Sequence, residues 1–306
     1  MHRPAGRSGA RLIVALTPNL SLDRTLWLDR PLVPGRLHRV PEVHVAAGGK
    51  GPNLARIVRA FGGETCVAGV VGGFGGARFR ALLADEGLDG VLEDVVGETR
   101  ECHILLEAGG THPTEINEMG PAYQPDAVAR LLARLPDGQV AVCGSLAPGT
   151  PPDAFRDMLR ALPGAVVDSS GPGLHAALEA GAHLIKPNEH ELEALTGQGT
   201  LASARDLYAR RGVPVLLTRG AEGAAYIGEE VCEVKAPQVE VRNPVGSGDA
   251  LLGAFLYARQ AGQSIPDSLR LAVAAGSANA HLGGPLRFDA AVARSLLPST
   301  HVTLLA

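Results

Sequence analysis

The sequence contains no apolar run near the roughly 20 residues that a membrane-spanning helix needs, so no such helix is expected. It also has no concentrated basic block: net charge is −4, and Arg is only scattered through the first eleven residues. That argues against nucleic acid as the principal partner, because holding a phosphate backbone takes a cationic face. Cys66, Cys102, Cys143 and Cys232 lie far apart and form no C-x-x-C pair. Reduced, mostly buried thiols in a cytoplasmic protein are expected rather than a disulfide or zinc site. The ten His show no metal-ligand spacing. Residues 1–10, MHRPAGRSGA, lack the apolar core of a signal peptide and are expected to be a flexible tail. P-loop, dinucleotide-binding and serine-hydrolase signatures are all missing.

What is present reads as one α/β domain over 11–306. Hydrophobic residues make up 45% of the 306, enough for a substantial core. The 39 Gly cluster between apolar runs, which suits tight turns rather than low complexity. RLIVALT (11–17), CVAGVVG (66–72), QVAVCG (139–144), AVVDSS (165–170), HLIKP (183–187) and VPVLLT (213–218) are compact runs without polar alternation. Strands covered on both faces look like this, so a mainly parallel sheet flanked by helices is expected. Between Gly51 and Gly62, Leu54, Ile57, Val58 and Phe61 share one helical face, with Pro52 opening the helix and Gly62 stopping it. Residues 22–46 and 99–118 break the rhythm. They read as extended chain without a helix and suit a small β-sheet lid over a site.

Three segments carry chemistry. In Asn243-Pro-Val-Gly246-Ser247-Gly248-Asp249, glycines at the mouth of an apolar helix can turn backbone N–H groups onto an anion. A carboxylate beside an anion site repels that anion, unless Asp249 takes a proton from an attacking hydroxyl; the alternative is an ordinary helix cap. In Ala47-Gly48-Gly49-Lys50-Gly51-Pro52-Asn53, amides, Lys50 and Asn53 suit a phosphate or sugar hydroxyls, with a plain glycine turn as the alternative. In Lys186-Pro187-Asn188-Glu189-His190-Glu191, Asn188 and Glu191 can face one way and hold Mg²⁺ through its water shell, or merely cap a helix. Asn19 and Asp23, just after the first strand, form a further polar pair suited to vicinal hydroxyls.

In this order GGKGPN, TR, CGSLAPG, VVDSSGPGL, IKPNEHEL, TRGAEGA and NPVGSGD resemble the ribokinase-like (PfkB) carbohydrate kinases over residues 11–300. The nearer likeness is to the phosphosugar branch, 1-phosphofructokinases and tagatose-6-phosphate kinases. The resemblance implies ATP and Mg²⁺, with Asp249 as proton acceptor and Gly246, Ser247 and Gly248 as anion hole. It implies sugar contacts from Asp23, Gly49, Lys50, Asn53, Arg100 and Ser145. ATP contacts would come from Lys186, Asn188, Thr218, Gly220 and Gly223, with Asn279 near the adenine, and Mg²⁺ support from Asn188 and Glu191.

Arg100 marks the branch, since a guanidinium fork clamps a phosphate already on the sugar. Thr114-Glu115-Ile116 followed by Gly120-Pro121 is similar to tagatose-6-phosphate kinases. The run Thr17-Pro-Asn19-Leu-Ser-Leu-Asp23 departs from the family's T-L-N-P-A-x-D by moving the proline, while keeping the Asn-to-Asp spacing. A homodimer through the lid is implied as well. Two other functions fit the same fold: a kinase of an unphosphorylated sugar or nucleoside, which Arg100 disfavours, and a non-catalytic sugar-phosphate sensor, which has no use for Asp249.

Overall fold

The computed structural model describes residues 12–108 and 113–305; the N-terminal tail assigned to 1–10 lies outside them. The described residues build two sheets. In order, the strands are β1 (Ile13–Thr17), β2 (Ser21–Leu28), β3 (Glu42–Gly48), β4 (Thr65–Val71), β5 (Asp89–Asp94), β6 (Arg100–Glu107) and β7 (Thr114–Asn117). They continue with β8 (Gln139–Cys143), β9 (Val166–Asp168), β10 (Leu184–Ile185), β11 (Val215–Thr218), β12 (Ala224–Ile227), β13 (Val231–Val234) and β14 (Val302–Leu304).

The large sheet runs β14-β13-β12-β11-β10-β9-β8-β1-β4-β5. From β5 to β11 every neighbouring pair is parallel, and β12, β13 and β14 close that edge antiparallel. Every residue of β1 and β4 is buried, because helices cover both faces. Of three apolar clusters among the described residues, two flank this sheet. One, around Leu54, Val67, Leu252 and Phe255, packs on one face, and the other, around Leu16, Phe155, Leu174 and Leu217, packs on the opposite face. All four cysteines are buried and unpaired. Among the described residues no helix is long and apolar enough to cross a membrane.

The two stretches that read as extended chain contribute a separate four-stranded sheet, β3-β2-β6-β7. Its β2–β6 pair is parallel, and the β2–β3 and β6–β7 pairs are antiparallel. Some expected elements are shorter than the apolar runs that signalled them. The 183–187 run yields only Leu184–Ile185: the Lys186 amide still donates to Val167 O at 2.9 Å, but Pro187 has no N–H to continue the ladder. The helix expected from Gly51 begins at Lys50, which puts Pro52 inside its first turn, and ends at Ala60.

Candidate active site

The C-terminal ends of the parallel strands and residues of the small sheet line one cavity of about 1320 Å³. Ligands in open α/β sheets lie at such strand ends, and the volume is ample for small-molecule ligands.

At one part of the cavity, β3 runs into the Lys50–Ala60 helix through Gly48 and Gly49. Asp23 of β2 accepts from Ser21 Oγ (2.6 Å) and from the Gly49 amide (3.3 Å). Its carboxylate comes so close to Gly48 that a Cβ there would lie 2.1 Å from Asp23 Cγ. Gly51 donates to Thr17 Oγ1 at 3.0 Å, which ties the helix mouth to the end of β1. Arg100, Ser145, Lys50 and Asn53 also reach the cavity wall. Asn19 does not: buried, it donates to the Met119 and Leu146 carbonyls and holds loops together, so of the expected Asn19–Asp23 pair only Asp23 lines the cavity.

The glycine turn expected to hold an anion leads into the Ser247–Gln260 helix, with Gly246 in the left-handed region at φ 77°. Ser247 N–H is committed to Pro244 O (3.1 Å). Among the described residues the Gly246, Gly248 and Asp249 amides have no backbone acceptor, so these face an anion better than that of Ser247. Asn279, expected near the adenine, is fully buried behind this turn and off the cavity wall, where it braces the turn by donating to Val245 O (2.9 Å) and Ser247 Oγ (3.1 Å).

Lys186, Thr218, Gly220 and Gly223 line another part of the same cavity. Asn188 and Glu191 line it as well, and they form a capping box: Asn188 Oδ1 accepts from Glu191 N, and Glu191 Oε2 accepts from Asn188 N, both at 2.8 Å. The capping alternative is therefore realised. Asn188 spends its oxygen on it, and Glu191 spends one of two.

Sequence reasoning gave Asp168 no role, yet it sits at the centre of the charge pattern. At the end of β9 and fully buried, it accepts from Lys50 Nζ at 2.7 Å, and its other oxygen lies 3.0 Å from Lys186 Nζ. The signal available was a lone carboxylate closing a buried strand of a parallel sheet. Burial alone would raise the Asp168 carboxyl, but Lys186 and Lys50 outweigh it and hold the group below the usual range. Burial likewise opposes the Lys50 charge, and Asp168 followed by Asp249 more than restores it. Asp249 takes the opposite course. Burial, with Asp168 adding to it, pushes its carboxyl up to about 6 against the pull of Lys50, Asn53 and Lys186. A carboxylate near neutrality, hydrogen-bonded through Asn53 Nδ2 at 2.9 Å, suits proton abstraction.

The sequence profile of the pfkB family carbohydrate kinases matches residues 19–286. A 1-phosphofructokinase of Haloferax volcanii is 34% identical over 277 residues, 87% of this chain and 90% of that protein. One of Escherichia coli strain K12 is 32% identical over 285 residues, covering 87% and 89%. The fold superposes on Escherichia coli phosphofructokinase-2, solved with substrates and products, with a TM-score of 0.88 at 26% identity, covering 95% of this chain and 99% of that one. Family profile, relatives and fold agree: the chain belongs to the pfkB family of carbohydrate kinases and is an ATP-dependent sugar kinase.

Proposed function

We propose that this kinase transfers the γ-phosphoryl group of ATP to a free hydroxyl of fructose 1-phosphate, yielding a bisphosphate and ADP. The observation that carries the substrate class is Arg100. Its guanidinium lines the cavity yet meets only neutral acceptors: Asn19 O at 3.0 Å, Glu118 O at 3.3 Å and Ser145 Oγ at 3.4 Å. Its Nε has no partner among the described residues. A guanidinium with no ion-pair partner among the described residues, on the same cavity wall as Lys50, suits the phosphate that the sugar already carries. The similarity to 1-phosphofructokinases supports the same choice.

In this reading Asp23 holds sugar hydroxyls, and Asp249 takes the proton of the attacking one. The sugar oxygen bonds to the γ-phosphorus as the bond to the bridging oxygen breaks. The Gly246 and Gly248 amides stabilise charge on the phosphoryl group in transit, and Lys186 stands beside the nucleotide phosphates. Mg²⁺ would arrive with ATP and neutralise phosphate charge. The residues present fit an ion that keeps much of its water, because Glu191 lines the cavity with only Oε2 engaged by the cap. The small sheet would close over the site and exclude competing water. Val43 of β3 and Ile116 of β7, 43% and 58% exposed, support pairing of two copies through this sheet.

A screen of ADP release with fructose 1-phosphate, fructose 6-phosphate, tagatose 6-phosphate and unphosphorylated fructose tests the proposal. Fructose 1-phosphate should give the highest kcat/KM, and a preference for fructose would overturn it. Glu115 and Asn117 of β7 line the cavity, which makes tagatose 6-phosphate the informative comparator. Arg100→Ala should raise the KM for the sugar about ten- to a hundredfold, leaving the ATP KM nearly unchanged, because the phosphate contact exists in ground and transition states alike. An unchanged sugar KM would reopen the case for an unphosphorylated substrate. The kcat should fall as pH drops through about 6, since Asp249 must be ionised to accept the proton. A pH–rate profile flat down to 5 would contradict that role.

A further inference from the structure

Arg56 is a buried cation, 6% exposed, on the Lys50–Ala60 helix, one turn beyond Asn53 and off the cavity wall. Four hydrogen bonds pin its guanidinium. Nε and Nη2 donate to the two oxygens of Glu86 at 2.6 and 2.7 Å, Nη2 also donates to Ala47 O at 2.7 Å, and Nη1 donates to Asn53 Oδ1 at 2.9 Å. The last bond carries information. An amide's oxygen and nitrogen have nearly the same shape, and either could face a neighbour. A guanidinium has five donors and no acceptor, so the Asn53 atom that faces Arg56 must be the oxygen. The nitrogen is thereby turned onto Asp249 Oδ2, at 2.9 Å.

We infer that Arg56 is a positioning residue for the base: through Asn53 it fixes the Asp249 carboxylate and leaves Oδ1 as the oxygen that receives the substrate proton. The inference rests on the reading of Asp249 as base. Glu86 is part of the same device. It follows the Gly73–Asp85 helix, so a bidentate ion pair outside the cavity holds the guanidinium that orients the amide. The amide donor also favours the ionised carboxyl of Asp249, among neighbours that pull both ways: Lys50 from its own helix, Asp168 from β9 and Lys186 after β10.

A purely structural Arg56 would clamp Glu86 and the end of β3 without touching proton transfer. Profiles of kcat against pH for wild type, Asn53→Ala, Arg56→Met and the double variant, run with fructose 1-phosphate and ATP, separate the two. Asn53→Ala and Arg56→Met should each lower kcat about tenfold or more, as loss of a charge-assisted hydrogen bond does, and each should move the acid limb to higher pH. Because one acts through the other, the double variant should be no worse than the more damaged single one. If Arg56→Met does not fold, Arg56→Lys takes its place, with a smaller limb shift that disappears in the Asn53→Ala background. Multiplying effects, or a fall in melting temperature with kcat and limb unmoved, would overturn the inference. Asp249→Asn in the same assay keeps the two failures apart: retained turnover there sinks the base itself, whereas lost turnover with an unmoved limb in the Arg56 and Asn53 variants sinks only this inference.

Discussion

The two glycine-rich turns at the cavity, Gly48–Gly51 and Gly246–Gly248, look alike as sequence but differ in what makes them glycine. At Gly48 the space is already taken: a methyl group would fall 2.1 Å from Asp23 Cγ. Gly51 is as crowded, with Thr17 Oγ1 at 2.3 Å and the Ala15 carbonyl at 3.0 Å from a built Cβ. Gly248 is open by contrast, since only Lys186 Nζ, at 3.4 Å, comes within contact of a Cβ there. The first turn is narrow because protein fills it and holds Asp23 in place. In the second turn Gly246 is held to glycine by its left-handed φ of 77° and by Pro285, whose Cγ would lie 2.8 Å from a Cβ, and Gly248 alone is left open. A glycine motif alone does not tell these cases apart; the neighbouring strands do.

Alanine scanning of the two turns would break or sharpen this contrast. Gly248→Ala should lower kcat by about 10²–10³, the usual worth of an oxyanion-type donor whose site is obstructed, because the methyl group occupies the ligand's space. Its stability should stay within about 0.5 kcal/mol of wild type, as thermal melts would register. Gly48→Ala should do the reverse. Overpacking against Asp23 should cost about 1–3 kcal/mol in denaturant unfolding, and the displaced carboxylate should raise the sugar KM more than it lowers kcat. A destabilised Gly248→Ala with normal turnover, beside a stable Gly48→Ala, would invert the account.

Much of this was legible in the chain, and the reasons are local. Buried parallel strands leave uninterrupted apolar runs, so β1, β4, β8 and β11 could be read directly. The helix-free stretches around 22–46 and 99–118 gave the second sheet. The cavity-facing residues of the three glycine- and asparagine-rich segments could be found because each segment stands between a strand end and a helix mouth. What stayed hidden depends on distance in sequence. Asp168 matters only because Lys50 and Lys186 converge on it from other elements. Asn19 and Asn279 resembled binding residues, but their amides are spent on carbonyls that only the folded chain brings near. The Asn188–Glu191 spacing fits a cap and a metal contact alike, and periodicity cannot choose between them.

The central claim, that a buried carboxylate at the mouth of the Ser247–Gln260 helix drives the transfer, is tested most directly by turnover of Asp249→Asn. The amide keeps the size of the side chain but cannot take the proton. With fructose 1-phosphate and ATP the account predicts a loss of about 10²–10⁴ in kcat, the typical worth of a positioned general base, while calorimetry still detects binding of both substrates. Turnover near the wild-type value would contradict it.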